Sequence, residues 1–155
     1  MFTPWLSGER TLQNGALNSF NIMEIKGDPI EIKCATDHIY NFLNDFNNFE
    51  NLMPEQISHW KSDTESCSFE INNMATIELR ITEREQGRKL KMNSEGKSPF
   101  PFQLISKLEP LNENLSKFSF EIDAEVNPML SMMVKKPLQN LVEIMGQKLK
   151  TFMEK

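Results

Sequence analysis

The 155-residue chain has only two cysteines, two histidines and one tyrosine, and each scarcity excludes some chemistry. Cys34 and Cys67 form neither a CxxC nor a CxxH spacing, so no zinc or dithiol redox motif is present. Both fall in strand-like stretches, which predicts two reduced core thiols in a cytoplasmic protein. His38 and His59 stand far apart with no cysteine or carboxylate at ligand spacing, a poor start for a metal site. There is no HExxH, GxSxG, phosphate-cradling glycine loop or DxDxDG calcium loop. The expectation is therefore no catalytic constellation, no metal and no cofactor. No apolar run approaches the ~20 residues of a membrane span, which predicts no integral membrane segment. Residues 1–22 lack the basic then apolar order of a signal peptide. A net charge of −5 with no basic run argues against a nucleic-acid surface.

What remains is an ordinary globular composition, 39% hydrophobic and 25% charged, in a chain long enough for one core. Residues 1–22 are mixed and without clean period. They read as an N-terminal extension or arm, with Phe2, Trp5, Leu6 and Phe20 as apolar anchors that could cover a cavity mouth. Residues 23–155 read as a single domain. Within it, Ile30, Ile32 and Cys34 alternate with Glu31 and Lys33 in a half-buried strand. Thr36 is placed to cap a helix, with Ile39, Phe42, Leu43, Phe46 and Phe49 or Leu52 on its buried side and breaks at ND and NN before Pro54.

From Gln56 onward the period is two. Strands are predicted over 57–61, 66–71, 74–83, 88–93, 102–109 and 115–126, separated by DTES, NN, EQG, SEGKSPFP and PLNEN. Ala75, Ile77, Leu79 and Ile81 alternate with Thr76, Glu78, Arg80 and Thr82; Phe118, Phe120, Ile122, Ala124 and Val126 do the same against polar neighbours. That is a seven-stranded antiparallel sheet with one apolar face, which must be covered.

The cover is the C-terminal stretch. Asn127 suits an N-cap and Pro128 a first helical position. Leu130, Val134, Leu138, Leu141, Met145, Leu149 and Phe152 recur at steps of three and four, one stripe of a rod about 40 Å long. Pro137 predicts a kink, or a short helix over 128–135 followed by a main one.

The order β-α-α-β-β-β-β-β-β-α is α+β. The segments PIEIKCATDHIYNFLNDFNNFENLMP and NPMLSMMVKKPLQNLVEIMGQKLKTF resemble the opening and closing of the helix-grip fold of the START, birch-pollen-allergen and polyketide cyclase-like superfamily, SRPBCC. The resemblance covers residues 28–154. It implies a curved sheet round the last helix, with a cavity between them for an apolar ligand. Its members include transporters, cyclases, hydrolase-like enzymes and chaperone activators.

On this reading Leu79, Met92, Phe100, Phe102, Leu104, Phe120, Met129 and Met133 are cavity candidates, the methionines because flexible thioethers adapt to differently shaped guests. Ser106, in phase with Leu104 and Leu108, and His59, beside Trp60, are the polar candidates for orienting a head group. Only one of His59 and Trp60 can face inward. The expected function is binding or transport of a lipid, isoprenoid or polyketide-like molecule. The alternatives are a cyclase or dehydratase using the same pocket, and a protein-interaction module.

Overall fold

A computed structural model describes residues 21–73, 75–96 and 98–155. Residues 1–20, with Phe2, Trp5, Leu6 and Phe20, and Met74 at the start of a predicted strand, lie outside the described residues. Strands β1 (Asn21–Lys26) and β2 (Ile30–Ile32) lead into helices α1 (Thr36–Leu43) and α2 (Phe46–Phe49) and a 3-10 turn at Glu50–Leu52. Six strands follow, β3 (Ile57–Ser62), β4 (Ser66–Ile71), β5 (Ala75–Glu85), β6 (Lys89–Glu95), β7 (Phe102–Asn112) and β8 (Leu115–Val126), then helix α3 (Pro128–Met153). This is the α+β helix-grip architecture, an antiparallel sheet in the order β1-β8-β7-β6-β5-β4-β3 with the long helix last.

Among the described residues eight strands are present where seven were expected. The addition is β1, whose Met23 and Ile25 are buried while Ile22, Glu24 and Lys26 are exposed. β1 and β2 both pair with β8, Lys26 opposite Glu121 and Ile30 opposite Phe118. Three residues therefore face two across the junction, and the edge bends there. Gly27 makes the bend possible. Its amide donates to Phe120 O at 2.8 Å, and a Cβ would come within 3.0 Å of that same oxygen.

Ala35, not Thr36, is the N-cap of α1, and no side chain caps it; Thr36 is already the first helical residue. The cap of α3 is as read: Asn127 Oδ1 accepts from the Leu130 amide at 2.8 Å, with Pro128 following. The helix runs through Pro137 without division, so the two-helix alternative does not occur.

The core lies on the concave face of the sheet. Helices α1 and α2 cover one end through Ile39, Leu43, Phe46 and Phe49, all at 1% exposure or less. There Phe49 meets Phe120 edge-on, with centroids 6.4 Å apart. Helix α3 crosses the rest.

Candidate functional site

Between the sheet and the N-terminal half of α3 lies an apolar cavity of about 190 Å³. Its floor is Phe69 on β4, Ile77 and Leu79 on β5, and Leu104 on β7 paired with Ile122 on β8. Val134, Pro137, Leu138, Leu141 and Met145 of α3 form its roof. Period-two burial on the strands and the i, i+4 spacing on the helix aim these side chains at one another.

Rigid rings build the walls. Trp60 stacks on Phe69 with centroids 5.3 Å apart and planes 14° from parallel. Phe100, in the β6–β7 connection, leans on Phe102 at 5.8 Å. The indole is also fixed at its polar edge: Trp60 Nε1 donates to Ser62 Oγ at 3.0 Å, and that hydroxyl donates to Asn47 Oδ1 at 2.6 Å. Planar rings with few torsions close a gap poorly, so space of this kind persists where aliphatic chains would collapse into it.

Trp60 faces inward because β3 carries a bulge. Ser58 pairs with Glu70 and Lys61 with Ser68, so His59 and Trp60 together oppose Phe69. His59 takes up the extra residue in the left-handed region, at φ 56°, a conformation that costs a non-glycine residue about 1 kcal/mol. The imidazole is thereby turned outward, 66% exposed, with Nδ1 3.4 Å from Glu70 Oε1.

The sequence-derived candidates divide accordingly. Leu79, Phe100, Phe102 and Leu104 are brought together on the cavity wall. Met92, Ser106 and Phe120 are buried at 0%, 1% and 1% exposure but off that wall, at the end of the sheet where α1 packs on β6 and β7. Ser106 Oγ has no hydrogen-bond partner there, and it does not reach the cavity. His59 is corrected from rim to outer surface. Met129 and Met133 are corrected as well: at 75% and 68% exposure they point away from the sheet. At about 100° per residue, Leu130 and Val134 take the inward direction and each preceding methionine is rotated off it.

The wall residues missed include Trp60, Phe69 and Ile77 and, on the helix, Val134, Pro137, Leu138, Leu141 and Met145, although the helix stripe itself was legible. For Trp60 the signal was its alternation with His59, which left open which of the two turns in.

Among the described residues no ionisable side chain lines the cavity. The displaced titrations lie elsewhere. Burial pushes the Cys67 thiol well up. Asp123 is held above the usual carboxylate range, first by partial burial and then by Glu24 and Glu121 beside it; it alternates with the inward Ile122 and Ala124 and so sits on the opposite face of β8. Among the described residues no three His, Cys, Asp or Glu side chains could hold a metal ion, and no helix is long and apolar enough to cross a membrane.

No family profile and no curated protein matches the sequence, but solved structures match the fold. A START superfamily protein from Mycobacterium smegmatis superposes with a TM-score of 0.69 at 12% identity, over 86% of this chain and 98% of that one. Norcoclaurine synthase from Thalictrum flavum, in complex with dopamine and hydroxybenzaldehyde, gives 0.66 at 11% identity over 86% and 87%. A conserved protein from Geobacillus kaustophilus gives 0.64 at 13% identity over 84% and 95%. The chain has the helix-grip fold of these proteins.

Proposed function

We propose that residues 23–155 bind a small apolar molecule, or the apolar end of a larger amphipathic one, in the cavity under α3. The observation that carries this reading is the wall: aromatic and aliphatic side chains, with no charged side chain among the described residues that line it and with its one polar edge, Trp60 Nε1, already bonded to Ser62 Oγ. Such a surface gains by exchanging water for hydrocarbon, at about 25 cal/mol per Å² buried. It offers nothing to orient a polar centre inside, so a head group would stay at the mouth.

A volume of about 190 Å³ is below the ~300–1,000 Å³ of pockets for drug-sized ligands and above the ~150 Å³ that accommodates a benzene ring in an engineered core. One substituted aromatic ring, a terminal isoprenoid unit or the end of an acyl chain fits that range. The bound molecules of the plant synthase are single aromatic rings in the same fold, which supports the size class. Proton transfer of the cyclase or dehydratase kind needs a positioned acid or base, and the described residues of the wall supply none. The free thiols Cys34 and Cys67 fit a reducing compartment, the cytoplasm.

The test is Leu141→Trp, which puts an indole into the space from the roof. Titration with the uncharged dye phenylnaphthylamine should show saturable binding to the parent protein. The variant should lose most of that affinity while keeping its circular dichroism and melting transition. Unchanged affinity in a well-folded Leu141→Trp protein would remove the cavity from consideration.

A further inference from the structure

We propose that the first two turns of α3 form a docking surface for an anionic lipid bilayer, and that the cavity exchanges its guest there. This rests on the binding reading above but is argued from different residues. A helix lying on a protein normally shows one apolar stripe and a polar outer side. The start of α3 breaks that pattern. Leu130 and Val134 face inward, yet Met129, Met132 and Met133 on the outer side are 75%, 85% and 68% exposed. Met129, Met133 and Pro137 stand in one i, i+4 row, and Pro137 lines the cavity. The exposed methionines are thus continuous with the cavity roof.

Three features select the occupant. The charge on this part of the helix has one sign: residues 126–142 contain Lys135 and Lys136 and no acidic residue, in a chain whose net charge is −5. The two lysines follow the methionines after the single residue Val134, an apolar face with a cationic margin, as in helices that lie in the headgroup layer of anionic bilayers. Next, three side chains make a patch of a few hundred Å² at most, well short of the ~800 Å² per partner of a stable protein dimer. Finally, methionine is unbranched and conforms to a fluid surface without requiring a fitted partner. A bilayer asks for neither large area nor shape complementarity.

The experiment is flotation of the full chain with vesicles of phosphatidylcholine alone and of phosphatidylcholine mixed with phosphatidylserine. The parent protein should float with the mixed vesicles and much less with the neutral ones. Replacing Met129, Met132 and Met133 together by Ser should reduce flotation about tenfold or more. Lys135→Glu with Lys136→Glu should abolish the preference for phosphatidylserine, since each lysine near such a surface contributes about fivefold. All of these residues are outside the cavity, so both variants should bind phenylnaphthylamine in solution as the parent does, which also reports that they are folded. No flotation with either vesicle, together with intact dye binding, would overturn the docking surface and leave the cavity standing. Flotation without dye binding would do the reverse. Sedimentation showing a dimer that the Met→Ser variant loses would assign the patch to a second copy of the chain and overturn the proposal.

Discussion

The two halves of α3 belong to one unbroken helix and do different things. From Val142 onward the helix is packed: Val142, Met145, Gly146 and Leu149 are buried, Met145 also closing the far end of the cavity, and polar side chains fasten this half to the strands at the edge of the sheet. Glu143 Oε1 accepts from the Asp28 amide at 3.2 Å, Lys150 Nζ donates to Glu31 O at 2.7 Å, and Glu154 Oε2 accepts from the Lys33 amide at 2.8 Å. Before Leu141 the inward side chains are only half-buried, and beneath them is the cavity. Among the described residues, side-chain hydrogen bonds from 128–140 to the sheet are Ser131 Oγ on Met23 Sδ at 3.2 Å and Gln139 Nε2 on Lys26 O at 3.0 Å. One half anchors and the other spans. A guest that enters under the spanning half need not disturb the anchored one.

The contrast makes unequal predictions for the same truncation. Leu149→Ala removes a side chain of 0% exposure from a filled core and should cost about 3 kcal/mol. Leu138→Ala trims a half-buried side chain that already borders empty space, so little further cavity is created, and the cost should be about 1 kcal/mol. Urea unfolding midpoints decide it. Equal losses at the two positions would mean that the spanning half is as well packed as the anchored one.

Pro137 sharpens the comparison from the other side. It sits inside the helix, where its ring crowds the preceding turn and no amide is available for the Met133 carbonyl. Pro137→Ala should restore that bond and raise stability by about 1 kcal/mol, with slower amide exchange over residues 133–141 and slower release of phenylnaphthylamine. A stabilised protein with unchanged dye kinetics would show that the spanning half does not gate the cavity.

Much of this fold was legible because the signals are local. Alternation at Ala75–Ile81 and Phe118–Val126 sets the inward face of β5 and β8, and Asn127–Pro128 marks the start of α3 whatever packs on it. β1 was lost because Met23-Glu24-Ile25-Lys26 alternates for only four residues before Gly27-Asp28-Pro29, a stretch that reads as the end of order rather than a bend in a continuing edge. The site was half legible for the same reason. Leu79, Phe102 and Leu104 follow from strand phase. The outward turn of Met129 and Met133 follows from the helix phase, since the stripe Leu130–Val134–Leu138 leaves both off it; their candidacy rested on composition instead. The outward turn of His59 depends on a bulge, and the plugging of Met92, Ser106 and Phe120 by α1 and α2 is a tertiary event with no local mark.

The smallest expected effect concerns the anchor's last contact. Glu154 is held below the usual glutamate range by its hydrogen bond from Lys150 and next by that from the Lys33 amide, both at 2.8 Å. A carboxyl whose folded value is depressed contributes its stability above the unfolded value and loses it as the pH falls through the folded one. Glu154→Gln should therefore lower the melting temperature slightly at pH 7, where the parent has the charged pair. The difference should shrink once the pH drops below the ordinary glutamate value of 4.5 and vanish when the parent's Glu154 is itself protonated. The site is at the surface and screened, so added salt should reduce the difference at neutral pH as well. Dye affinity should not change, because the contact lies on the anchored half. A Glu154→Gln protein that melts as before but releases its guest faster would show that the two halves of α3 are coupled, and the division drawn between them would have to be abandoned.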